Sequence, residues 1–120
     1  MAEDRYISVF ADLRAIMLAV VDQALDVTRD KPGDLVVRTK ALDAKGQPGW
    51  FGTVTIKKQY VAFHLMPLYE RQDLLEEIEE PLASRRHGKT CFNFKSRDER
   101  CYEQLGALVR RMHADVSGNA

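Results

Sequence analysis

The sequence predicts an α+β fold in which an antiparallel sheet is covered on one face by helices from the two ends of the chain. Apolar residues at spacings of three and four begin the chain, alternating strand patterns occupy its middle, and a capping box opens a helix near its end. A repeating strand–helix–strand pattern is absent, so a parallel sheet is not indicated. We expect the order α-β-β-β-α-β-α, arranged as a two-layer sandwich in a single domain spanning residues 1–120.

The first helix is predicted over residues 5–27. Its apolar stripe consists of Phe10, Leu13, Met17, Val20, Val21 and Ala24. Ile7, Ile16 and Leu18 widen this stripe, which predicts a helix that is covered around most of its circumference.

The middle of the chain predicts three strands. TRDKPGD, 28–34, has the composition of a loop, DLVVRTKAL follows as a strand, and DAKGQPG, 43–49, is a turn. The next two segments, WFGTVTIKK and YVAFHLMPLY, form a hairpin. Its inner face carries Val54, Ile56, Val61, Phe63 and Leu65, and its outer face carries Thr53, Thr55, Tyr60, Ala62, His64 and Met66. A register shift of one residue would exchange the two faces.

The second half of the chain predicts short helices, one strand and a long helix. ERQDLLEEIEE, 70–80, is an acidic helix, and PLASRRH, 81–87, is a short helix that ends at Gly88. TCFNFK, 90–95, alternates as a strand, with Cys91, Asn93 and Lys95 on one face. Ser96–Glu99 reads as the capping box of the last helix, whose stripe is Cys101, Leu105, Leu108 and Met112.

The composition limits the function. The 18 acidic and 18 basic residues give no net charge, which argues against a nucleic-acid partner. The apolar run AIMLAVV, 15–21, is too short to span a membrane. Cys91 and Cys101 have neither a zinc nor a redox spacing, and we expect them to face opposite ways without a disulfide. These features predict a cytoplasmic protein.

Residues 83–90, ASRRHGKT, fit a loose phosphate-loop pattern. A phosphate loop requires a strand that enters a helix N-terminus, whereas the pattern here predicts a helix before Gly88 and a strand after it. We therefore do not expect nucleotide binding.

The main functional hypothesis is a non-enzymatic domain that binds a partner protein, a second copy of itself or a small ligand through the outer sheet face. The outer face mixes aromatic, apolar and polar groups, as recognition surfaces do. If residues 67–87 covered this face, it would become a pocket and an enzyme would be the alternative, with Lys89, His64 and Tyr69 as its candidate groups. The complete set of candidate binding residues is Thr53, Thr55, Tyr60, His64, Met66, Tyr69, Lys89, Asn93 and Lys95.

Metal binding is the second hypothesis. Residues 67–80 contain six acids against one arginine, and carboxylates collect hard cations. Such a block is more often a solvated helix face, and the three histidines have no metal-site spacing, so we assign no metal ligands and no cofactor.

Several stretches together resemble the YdhG-like family of small bacterial proteins: GTVTIKKQYVAFHLMPLY, GKTCFNF and the C-terminal helix. The resemblance covers roughly residues 32–112. It implies an α/β sandwich similar to the frataxin-like arrangement, and it implies iron handling by surface carboxylates as an alternative function. The six acids of residues 1–30 are dispersed here, which does not favour that alternative.

Overall fold

The computed structural model describes residues 2–42 and 45–117 of the 120-residue chain. It contains three α-helices, six strands and two 3₁₀ helices among these residues. The α-helices are α1 (Ala2–Leu18), α2 (Gln72–Glu77) and α3 (Glu99–Ser117). The strands are β1 (Leu25–Lys31), β2 (Asp34–Leu42), β3 (Pro48–Ile56), β4 (Val61–Leu65), β5 (Arg86–His87) and β6 (Cys91–Phe94). The 3₁₀ helices are Met66–Glu70 and Leu82–Arg85.

The strands form one antiparallel sheet in the order β1-β2-β3-β4-β6-β5. Mixed helix and strand with an antiparallel sheet confirm the predicted α+β class. The predicted hairpin register is also confirmed, because Val54 pairs with Phe63 and Thr53 pairs with His64. The alternative register, shifted by one residue, is therefore wrong.

Buried side chains of the two long helices and of the sheet belong to one hydrophobic core. Helix α1 contributes Val9, Leu13 and Met17, none of which has exposed surface. The buried side chains of α3 and of the strands include Cys101, Leu105, Val109, Met112, Leu35, Val37, Val54, Val61, Phe63, Phe92 and Phe94. Burial of this apolar surface is the main force that stabilises the core. Ile7 was expected to widen the covered stripe of α1, but it lies 56% exposed on the outside of the helix.

Gly52 marks the closest approach between α1 and the sheet. A methyl group at this position would meet the Met17 side chain and would lie 2.7 Å from the backbone oxygen of His64. The absence of a side chain at Gly52 therefore allows Met17 to pack directly against β3.

The first helix and the first loop differ from the prediction. Helix α1 ends at Leu18 rather than at residue 27, and residues 25–31 form β1. The expected loop 28–34 is a hairpin, because Pro32-Gly33 forms a tight turn between Lys31 and Asp34, with Gly33 at a φ of 76°. A Pro-Gly pair suits this turn because proline presets the first position and glycine accepts a positive φ at the second. Asp43 and Ala44 of the predicted turn 43–49 lie outside the described residues.

The segment before β6 also differs. The expected helix 81–87 is a single 3₁₀ turn followed by the short strand β5. Gly88 has the expected positive φ, 82°, but it lies in the turn between β5 and β6 instead of ending a helix. Residues 83–90 therefore run from a 3₁₀ helix through β5 to the start of β6, whereas a phosphate loop needs a junction from a strand into a helix.

Asp98, rather than Ser96 of the predicted capping box, caps the last helix. Its carboxylate accepts a hydrogen bond from the backbone N–H of Cys101 at 3.1 Å and forms an ion pair with Arg85 at 3.3 Å. An aspartate at the N-cap satisfies a backbone donor that would otherwise lack a partner. In the described part of the chain, no helix combines the length and the apolar character that a bilayer crossing requires.

Candidate functional site

The candidate site is the sheet face opposite the long helices, called here the open face. Cross-strand pairing aligns Thr53, His64 and Cys91 in one row across β3, β4 and β6. The adjacent row consists of Thr55, Ala62 and Asn93. All six side chains are partly exposed, whereas the inward residues between them have no exposed surface. The centre of the open face thus presents small and weakly polar groups.

Four of the nine predicted binding residues, Thr53, Thr55, His64 and Asn93, lie together in these two rows. The other five lie at the strand ends. Tyr60 precedes β4 and Lys95 follows β6, and these two ends are adjacent because Val61 pairs with Phe94. Tyr60 was predicted to begin this strand, but it lies just outside β4, which starts at Val61.

The remaining three predicted residues lie beyond the opposite end of β4. Met66 and Tyr69 belong to the first 3₁₀ helix, and Lys89 is exposed in the turn between β5 and β6. The ring of Tyr69 lies with its centroid 6.5 Å from that of His64, so it borders the open face. The site residues consequently form a central patch with two flanks.

Burial sets the protonation of the two reactive groups on the open face. It lowers the pKa of His64, whose ring is therefore neutral at pH 7. It raises the pKa of the Cys91 thiol, against the opposing effect of the nearby Lys57 ammonium. The Cys91 thiol lies 3.4 Å from the side-chain oxygen of Asn93. A protonated thiol is a poor nucleophile, so this pair offers hydrogen bonds rather than covalent catalysis.

Both cysteines are free, as expected, with Cys101 buried in the core. His64 and Cys91 are paired directly on the neighbouring strands β4 and β6. The described residues nevertheless include no group of three or more His, Cys, Asp or Glu side chains that could hold a metal ion.

Trp50 and Arg38 also belong to the open face, although the sequence pattern did not indicate them. The Arg38 guanidinium lies 4.2 Å from the centroid of the Trp50 ring and donates a hydrogen bond to the Pro48 carbonyl at 2.7 Å. Strict alternation from Thr53 would turn Trp50 inward. A register shift after Val37 breaks the alternation and turns Trp50 outward, where it is 47% exposed. The sequence feature that could have indicated this residue is the single tryptophan of the chain, which lies near the start of β3.

The open face carries a small excess of positive charge. Pairing and alternation place more bases than carboxylates on it. The bases include Arg29, Lys31, Arg38, Lys57 and Lys95, and the acids include Asp26 and Asp34. Arg29 and Asp34 form an ion pair at 3.0 Å.

Residues 66–85 are anchored to the helices and do not form the roof that an enzyme pocket on this face would need. Leu68, Leu74 and Leu82 of this segment are buried in the shared core. The backbone N–H of Leu82 donates a hydrogen bond to the side chain of Gln104 on α3 at 3.1 Å. The segment therefore extends the helical side of the molecule.

Two clefts accompany this segment. One, of about 290 Å³, lies between α2 and α3 and is lined by apolar residues such as Leu74, Ile78 and Leu108. The other, of about 530 Å³, lies beside the open face and contains Trp50 and Tyr69. We call the second cleft the Trp50 groove. It joins the open face at Tyr69.

Comparison with protein-family models, with curated proteins and with solved structures finds no match. The resemblance to the YdhG-like family therefore stays a prediction.

Proposed function

We propose that the protein is a non-enzymatic recognition domain that binds a partner protein through its open face. The observation that supports this proposal is the contrast between the two sheet faces. The inward residues of the central strands are buried in the core with α1 and α3 side chains, whereas the outward rows centred on His64 and Ala62 are partly exposed. We also propose that α1 and α3 form one layer and the sheet forms the other layer of a two-layer sandwich.

The chemistry of the open face suits a protein partner better than a small ligand. Small ligands bind in concave sites, and neither of the two clefts described above is lined by the central rows of the open face. Interfaces often combine aromatic and arginine side chains with neutral polar groups, and Arg38 stacked on Trp50 supplies the first two. The outer parts of Thr53, Thr55 and Asn93 supply the polar groups.

Charge favours an acidic partner over a second copy of the chain. In a two-fold dimer through this face, the positive excess of one copy would meet the positive excess of the other. Opposite charges across an interface raise association rates and suppress wrong partners. A homodimer through the open face therefore remains the secondary form of the proposal.

The test compares two variants of the whole protein. Thr53→Glu with His64→Glu changes the centre of the open face, and Ala11→Glu changes an exposed position on the outside of α1. Proteins cross-linked to the wild type in cell extract are identified by mass spectrometry, and native mass spectrometry measures self-association.

The proposal requires a partner that is retained by Ala11→Glu and lost from the double variant, with an affinity loss of at least tenfold for the purified pair. Equal binding by both variants would exclude the open face as the interface. The structure does not favour carboxylate-based iron handling, since the described acids do not form a ligand group.

A further inference from the structure

The Trp50 groove is formed by segments that are far apart in sequence. Thr39 of β2, Gly49 and Trp50 of β3, the first 3₁₀ helix and the end of α3 all line it. Trp50 and Tyr69 are 47% and 48% exposed, although large aromatic side chains are usually covered. Two half-exposed aromatic rings in one concave site point to a ligand that packs against them.

The polar lining of the groove is negative. Glu70 and Asp115 contribute two carboxylates, and Arg71 is its single base. Arg71 is already held by Asp73 at 2.9 Å and by Asp115 at 2.5 Å. The hydrogen bonds that Arg71 donates to the carboxylates of Asp73 and Asp115 raise the pKa of Arg71, so these two neighbours balance its positive charge.

Two further features favour a positive ligand. Helix α3 ends at Ser117, immediately after Asp115 and Val116 of the lining, so the partial negative charge of a helix C-terminus lies at the groove. Trp50 already attracts a guanidinium, because Arg38 lies over one side of its ring at 4.2 Å. The exposed part of the indole offers the same electrostatic attraction to a second cation.

We propose that the Trp50 groove binds an arginine or lysine side chain presented by an extended segment of a partner protein. The groove opens to solvent, so it does not enclose a free small cation. An extended segment overcomes this limitation because its backbone and neighbouring side chains cover Met66 and Pro67 while the cation lies against the two rings. The groove shares Trp50, Met66 and Tyr69 with the open-face proposal, but it prefers the opposite charge, so a basic groove ligand and an acidic open-face partner can be distinguished.

The first experiment uses a short probe. An acetylated and amidated pentapeptide, Gly-Gly-Arg-Gly-Gly, is titrated at millimolar concentrations into the full chain. Trp50 is the single tryptophan, so intrinsic fluorescence reports the groove directly. The matched control peptide carries citrulline, which keeps the shape of arginine without its charge. We expect the arginine peptide to change the emission and to bind at least threefold more tightly than the citrulline peptide.

Variants separate the aromatic and charged contributions. Tyr69→Ala and Glu70→Gln are each expected to weaken the arginine peptide roughly two- to fivefold, while Ile7→Ala, an exposed apolar change on α1, leaves it unchanged. Backbone amide NMR shifts provide a second readout and confirm that each variant is folded. Equal responses to arginine and citrulline, unchanged affinity in both groove variants, or no response to the arginine peptide would each overturn the proposal. The open-face variant Thr53→Glu with His64→Glu tests the other surface separately.

Discussion

Replacing Gly52 with alanine would place a methyl group where β3, β4 and α1 meet. The new Cβ would lie 2.7 Å from the backbone oxygen of His64 and would overlap the end of the Met17 side chain. Met17 can change rotamer, but it is fully buried among α1 and sheet residues, so its alternatives are few. The His64 oxygen belongs to a paired strand and moves only if β4 moves.

The expected loss of stability follows from this geometry. Overpacking a well-filled core costs typically 1–3 kcal/mol, and the rigid backbone obstacle indicates the upper end, about 3 kcal/mol. An unfolding entropy of about 2.1 cal/mol/K per residue gives roughly 0.25 kcal/mol/K for this chain. The melting temperature of Gly52→Ala should therefore fall by about 12 °C.

Thermal and urea unfolding followed by circular dichroism measure this loss. The matched control is Gly106→Ala in the middle of α3, where a new Cβ would be 3.4 Å from the flexible end of Arg110. There the same substitution should stabilise the protein by up to about 1 kcal/mol, because alanine is the better helix former.

A double-mutant cycle separates the two obstacles. In a Met17→Ala background, Gly52→Ala should cost less than in the wild type, and the residual cost measures the His64 backbone contact. If Gly52→Ala costs less than about 1 kcal/mol in the wild type, the described packing of α1 on β3 is refuted.

Three further predictions follow from other contacts. Thr90→Val should raise the free energy of unfolding by about 1 kcal/mol in urea titrations, because the Thr90 hydroxyl is buried without a hydrogen-bond partner; an unchanged or lower value would contradict this reason. Asp98→Ala should cost about 1 kcal/mol at pH 7. The Cys101 N–H, and then Arg85, hold the pKa of Asp98 below its usual value, so its contribution is present above about pH 4 and lost as the pH falls through the folded-state value. Denaturation curves of variant and wild type should therefore converge at strongly acidic pH, and a constant difference would refute the linkage. Iodoacetamide should modify Cys91 slowly and Cys101 only on unfolding, as read by mass spectrometry, because burial raises the pKa of both thiols; rapid modification of Cys101 in the folded protein would contradict its burial.

Alternation in the sequence was sufficient to predict the central hairpin and its two faces. Val54 and Phe63 turn inward while Thr53 and His64 turn outward, as their spacing indicates. Periodicity likewise located α1 and α3, whose apolar stripes are long enough to average over local irregularities.

Local backbone geometry explains what the sequence pattern missed. Val27 and Thr28 favour a strand, but the polar neighbours of Pro32-Gly33 gave the segment the composition of a loop. The register shift after Val37, opposite Phe51, changes which residues of β3 face outward, and no residue type in the sequence predicts this shift. Trp50 and Tyr69, about twenty residues apart in the sequence, line one groove, and single-residue patterns carry no information about such an approach.

The two edges of the sheet have a further consequence for self-assembly. One edge, β5, has only two residues, and the other, β1, carries a register irregularity after Val27 together with Arg29, Asp30 and Lys31. A short edge and a charged, irregular edge are poor templates for an added strand, which protects against edge-to-edge aggregation. The backbone groups at the sheet edges therefore contribute little to association with other molecules. Association then depends on surface side chains, whose chemistry differs from one partner to another.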